Sequence, residues 1–147
     1  IRYKDYYFNC FEIDSIFIHT LALLLFYEIF FTFIHKWTHT IQFFKKANIH
    51  KKHHLFRYTL PADYLYFDIL DGIYPTLCII IPLSLYDVNY YSFMSSIMIR
   101  LINEVEVHNV YNIDKKRLLF FFENINNHIY HHMYYKKHYG TNFGIID

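Results

Sequence analysis

Three glycines, three prolines and two cysteines are all that this 147-residue chain has of those residues. So little glycine leaves no Gly-rich loop to cradle a phosphate. Cys10 and Cys78 form no C-x-x-C pair, and Cys78 lies in an apolar run, so a disulfide framework and a cysteine zinc site are both disfavoured. Charge is sparse as well: 18% of residues are charged, against roughly 25% in soluble proteins. The formal net charge is +1 and no basic stripe dominates, which argues against a nucleic-acid partner. We find no Ser/His/Asp nucleophile set, no signal peptide and no initiator methionine. The expectation is one domain over residues 1–147, a piece of a longer chain.

What is present is apolar and aromatic. Hydrophobic residues make up 54% of the chain, and 16 Phe and 16 Tyr bring the aromatic share to 22%. The wealth of Ile, Asn, Lys, Tyr and Phe fits a biased genome. The 11 histidines do not, because they cluster. Residues 16–34 are apolar over about the length that crosses a bilayer. His19 and Glu28 interrupt the run, and Phe30, Phe31 and Phe33 crowd its end as at an interface. A buried core helix is the competing reading. His19 is expected to be a neutral, hydrogen-bonded core histidine, with a place along a lipid path as the alternative.

A basic block over 35–57 follows, with Lys36, Lys45, Lys46, Lys51 and Lys52. Residues 69–85 are apolar and contain Pro75 and Pro82. A polar break at 87–89 leads into a second apolar arm over 90–102. The two arms read as a membrane hairpin, either partly inserted or spanning. Basic residues gather in 36–57, 115–117 and 136–137, and the hairpin tip has none. The positive-inside tendency then puts all three basic segments, and every histidine cluster, on the cytosolic side.

His35 and His39 make H-x-x-x-H. His50, His53 and His54 make H-x-x-H-H; His128, His131 and His132 repeat it; His108 stands alone between them. On a helix, residues three and four apart share a face, so each motif can aim two or three imidazoles at one point. Imidazole suits iron, zinc and copper. So many nitrogens exceed one ion's four to six positions, which points to two metals. Unrelated surface histidines are the competing reading. Neutral imidazoles need acceptors for their second ring nitrogens. Candidates are Asp71, Glu104, Glu106 and Asp147, each also readable as a solvated charge. A carboxylate-poor ligand set differs from the ferritin-like di-iron proteins, which use Glu. His138, six residues after His132, fits that helix face poorly; it is a candidate to support a ligand, with a surface position as the rival.

This ordered set resembles the fatty acid hydroxylase / sterol desaturase superfamily of membrane di-iron oxygenases. His50, Lys51, Lys52, His53 and His54 resemble that family's H-K-x-H-H. Residues 99–113 resemble a segment of the C4-methylsterol oxidase branch, with Glu106 at an acidic position two before His108. His131, His132 and Met133, followed by residues 139–147, resemble its closing motif. The chain departs from the family pattern at Thr40, Asp68, Asn109, Val110, Asn112 and His138.

The resemblance implies an all-α fold, with integral membrane helices carrying a cytosolic helical cap around a histidine-rich di-metal site. It implies two iron ions held by His35, His39, His50, His53, His54, His108, His128, His131 and His132. It also implies O2 as co-substrate, and electrons from NAD(P)H through cytochrome b5 or a similar donor protein. The expected activity is hydroxylation or desaturation of a lipid, a C4-methylsterol first and a fatty acyl or sphingolipid second, with endoplasmic reticulum as the expected location. A non-catalytic, histidine-rich membrane protein that binds lipid is the rival. A metal transporter would need its histidines within the spans.

Overall fold

Residues 13–40 contain no proline or glycine, and they form one uninterrupted helix, α1 (Ile13–Thr40). Asp14 stands in its first turn, where the helix dipole favours an acid. At about 1.5 Å per residue, 28 residues extend about 42 Å, beyond the ~30 Å of bilayer hydrocarbon. This helix is long and apolar enough to cross a membrane. It outruns the apolar stretch 16–34 by more than a turn, and that added length carries His35 and His39. His19, expected in the core, is instead exposed on α1. The period of the helix turns it away from the buried stripe of Thr20, Leu24, Tyr27, Glu28 and Phe31.

The computed structural model describes residues 13–112, 122 and 124–144. Within them the chain is helical, with no strand: α2 (Gln42–Lys46), α3 (Ile69–Leu85), α4 (Tyr90–Val107) and α5 (Ile125–Tyr134) follow α1. Short 3-10 turns occur at His53–Leu55, Asp63–Leu65 and Val110–Asn112. The all-helical expectation therefore holds. α3 runs on through Pro75 and Pro82, each of which removes one intrahelical hydrogen bond. The Asn89 side chain accepts from Tyr91 N–H (2.8 Å) and starts α4. Asn124 does the same for α5, accepting from Asn126 N–H at 3.0 Å.

The two arms of the hairpin pack chiefly on α1 rather than on each other. Tyr27 and Phe31 of α1 meet Tyr74 and Cys78 of α3, with Ile34 and Ile79 against them. At the α1–α4 crossing the buried residues are small: Thr20, Ser92 and Ser96. Small side chains let the helix backbones approach closely. There Thr20 Oγ1 donates to Ile16 O (2.7 Å) and Ser92 Oγ reaches the same carbonyl at 3.3 Å. Ile69, Ile80, Leu85 and Met98 point outward as exposed apolar residues, a surface suited to acyl chains. At the other end, the last turns of α1, the 48–59 segment, the end of α4, α5 and residues 135–144 converge.

Candidate metal centre

All nine motif histidines meet at that end, in two groups. His35, His39, His50, His54 and His131 form one; His53, His108, His128 and His132 form the other. Within each group, one ring nitrogen from each histidine lies within 4.8 Å of those of the others. His54 and His132 join the groups, with ring centroids 4.4 Å apart.

Local structure explains who points where. His35 and His39 are one turn apart on α1, with their Nε2 atoms 3.2 Å apart. His128 and His132 are the corresponding pair on α5, at 3.2 Å, and His131 beside them turns to the other group. The sequence reading gave each H-x-x-H-H a single target. The structure splits both motifs: the first and last histidines serve one group and the middle one the other. The first copy is also not α-helical. His50 lies in a turn, and His53–Leu55 form a 3-10 turn. His108 is the residue that ends α4.

Four imidazoles have their Nδ1 atoms tied to acceptors. His35 donates to Tyr139 O (2.7 Å) and His131 to Lys137 O (2.7 Å). His50 Nδ1 meets Asp71 Oδ1 (2.7 Å), and His108 donates to Glu104 O (2.9 Å). A carbonyl only accepts, so Nδ1 carries the proton in His35, His131 and His108, and Nε2 is left with a lone pair. These lone pairs converge. Nε2 of His131 lies 3.1 Å from Nε2 of both His35 and His54. Nε2 of His108 lies 3.1 Å from that of His128 and 3.3 Å from that of His53. No proton is available between His35 and His131 to make a hydrogen bond of that contact. Two nitrogens held at about 2.1 Å by one ion sit about 3.0–3.4 Å apart at right-angle to tetrahedral geometry. The spacing and the donor set therefore fit a metal ion in each group. His50 Nε2, buried without a hydrogen-bond partner, is a further free lone pair.

Electrostatics agree with this chemistry, since a ligand imidazole must be neutral. Burial is the largest cause and pushes His50, His53, His54, His128 and His132 well below the usual 6.5, with neighbouring imidazoles adding to it. Burial likewise lowers His108 to about 4 and His131 to about 3.

The supporting residues are distributed less simply. Asp71 meets His50 as its acidic character suggested, with the Tyr74 hydroxyl 3.4 Å from the same nitrogen. At His108 the helix brings up Glu104, four residues back, whose carboxylate Oε2 is 3.7 Å from Nδ1. Glu106, two residues back, lies on a different face of α4. His138 belongs to neither group and packs edge-on against Tyr130. Thr40 bonds the Lys36 carbonyl and is exposed. Asp147 lies outside the described residues. Sequence reasoning missed Glu28, which it took for an interruption of the span. Glu28 is fully buried and accepts from three backbone N–H groups in residues 141–144. Its signal was available: it precedes His35 by seven residues, two turns up the same face.

Comparison with known proteins adds one match. The model of the fatty acid hydroxylase family matches residues 20–147. No curated protein and no solved structure matches the chain.

Proposed function

The chain belongs to the fatty acid hydroxylase family, and from that premise we propose that it is a membrane di-iron oxidoreductase that uses O2 to hydroxylate a lipid, a C4-methylsterol above others. The observation that carries the reading is the convergence of imidazole Nε2 lone pairs at 3.1–3.3 Å in two adjoining groups. His35, His39, His50, His54 and His131 would hold one iron; His53, His108, His128 and His132 would hold the other. When bound, such a pair supplies the reductive activation of dioxygen needed to oxidise an unactivated C–H bond. One oxygen atom would enter the C–H bond and the other would leave as water, which takes two electrons from a donor protein and two protons from water.

The chain's own residues orient, shield and select. Tyr139 O, Lys137 O, Asp71 and Glu104 O fix four imidazole rings, so that Nε2 faces inward before any metal arrives. Burial of His35, His108, His131 and His132 keeps water from the interior. The aromatic row Tyr27, Phe31 and Tyr74 leads from the helix core to His35 and His50. The exposed apolar residues of α3 and α4, among them Ile69, Ile80 and Met98, offer a surface to a flat, bulky lipid that enters sideways from the bilayer. In this reading the site faces the cytosol at the endoplasmic reticulum, where a cytochrome b5-like protein delivers electrons from NAD(P)H. The sterol assignment rests on residues 99–113.

Expression in yeast lacking its C4-methylsterol oxidase tests the proposal. Growth without added sterol is the expected result. Failure to grow, with a hydroxylated acyl lipid accumulating, would move the substrate to the fatty acyl or sphingolipid class. Failure with no new lipid product and no iron would favour a lipid-binding protein without catalysis.

A further inference from the structure

Glu28 lies inside the apolar run of α1, where a carboxylate is costly unless its oxygens are satisfied. Its Oε2 accepts from the N–H groups of Asn142 (2.9 Å) and Thr141 (3.4 Å), and its Oε1 from that of Gly144 (3.0 Å). A Cβ at Gly140 would collide with Glu28 Oε1 and come within 3.2 Å of Thr32 Oγ1. Only glycine lets this backbone lie against the carboxylate. Asn103 of α4 closes the other side, with Nδ2 donating to Thr141 O (2.8 Å) and Asn142 Oδ1 (3.1 Å). Glu28, Asn103, Thr141 and Asn142 are all buried, so the bonds among them are shielded from water, while the bond from Gly144 is partly buried.

The segment held in this way begins at the acceptor for a ligand. Tyr139 O, next to Gly140, takes the Nδ1 proton of His35 at 2.7 Å. The Tyr139 ring also packs against His35, His39 and His131. We infer that Glu28 is a positioning residue of the five-histidine half of the centre, acting through the 140–144 backbone on the Tyr139 carbonyl and so on His35. The inference rests on the di-metal reading above. α1 thus carries both the ligand and, two turns earlier, the clamp on the carbonyl that orients it. In the four-histidine half, His108 is oriented through Glu104 O.

The test uses the full chain, purified in detergent, stripped of metal and titrated with Co2+, with the cobalt absorption bands as readout. The wild type should take up two ions. Glu28→Gln keeps the shape but turns an NH2 group toward backbone N–H donors. It should weaken one ion by about 10–100-fold and leave the other unchanged. His53→Ala, as a control, should affect the other ion. Gly140→Ala reaches the same contact from the loop side and should weaken the same ion as Glu28→Gln. If both act through one contact, Glu28→Ala combined with Gly140→Ala should cost less than the sum of the two. Helical content by circular dichroism should stay at the wild-type level in each variant.

Two ions bound at wild-type affinity by both Glu28→Gln and Gly140→Ala would overturn the role of Glu28. So would equal weakening of both ions, which would mark a general folding role. A wild type that takes up no cobalt pair would overturn the di-metal reading itself.

Discussion

His53 and His54 are consecutive residues that serve different halves of the centre, their rings 5.5 Å apart and nearly perpendicular at 82°. Helical geometry makes this division possible, because successive side chains leave a 3-10 turn about 120° apart and an α-helix about 100° apart. The same crossing occurs at His131 and His132 on α5. Each H-x-x-H-H therefore contributes to both histidine groups instead of to one.

The division predicts metal stoichiometry. Wild-type protein loaded anaerobically with iron should hold about two ions per chain by elemental analysis. His53→Ala and His54→Ala should each lower that number, through different ions, while the protein still inserts in the membrane. His54→Ala and His131→Ala should also abolish lipid oxidation. Wild-type product from either would remove that histidine from the ligand set.

Asp71 and Glu104 should respond differently to truncation. His50 depends on a side-chain oxygen of Asp71, but the shorter contact of His108 is to the Glu104 main-chain carbonyl, which survives mutation. Asp71→Ala should lower metal affinity on the order of 10–100-fold and Glu104→Ala by much less. Competition with a calibrated chelator measures both. Equal losses would mean that the carboxylates, not the helix backbone, orient the rings.

Acid should destabilise the metal-free protein. Burial lowers His108 to about 4 and His131 to about 3, against 6.5 for an exposed histidine. With the folded pKa below the unfolded one, the stability contributed is complete above about pH 6.5 and is lost as pH falls toward the folded values. Between about pH 6.5 and 4 the unfolded chain binds a proton on each ring that the folded chain refuses. Each ring then costs roughly 1 kcal/mol per pH unit. The melting temperature in detergent should decline steadily over that window. A flat profile would mean that water reaches these rings.

The segments on either side of the hairpin should lie on the same side of the membrane, because His50 and His131 belong to one group. Lys46 and Lys137 are exposed and suit cysteine replacement. An impermeant thiol reagent should label both positions from the cytosolic side of sealed vesicles. Labelling from opposite sides would break the topology and the shared site together.

The histidine clusters were legible in the sequence because helical spacing and clustering are local properties. Residues three or four apart are placed by the chain's own geometry, as with His35 and His39 on α1 or His128 and His132 on α5. The apolar runs were legible for the same reason, and they became α1, α3 and α4; α3 has the expected ends, while α1 and α4 run more than a turn past theirs. Asp71 was one of four acidic candidates, and its contact with His50 is made between segments 21 residues apart.

What only the tertiary structure decided is how distant segments divide those residues. Whether His131 joins His35 or its own neighbour His132 depends on how α5 is rotated against α1, 96 residues away. The role of Glu28 depends on a loop more than 110 residues later that supplies its three N–H donors. His19 and Glu28 both interrupt one apolar run, yet one faces outward and the other is sealed inside. Composition cannot separate them. The sequence by itself determined which residues are able to bind metal and which stretches are helical. Packing of the helices determined which imidazoles gather in one group and what holds them, because those contacts are made between elements rather than within them.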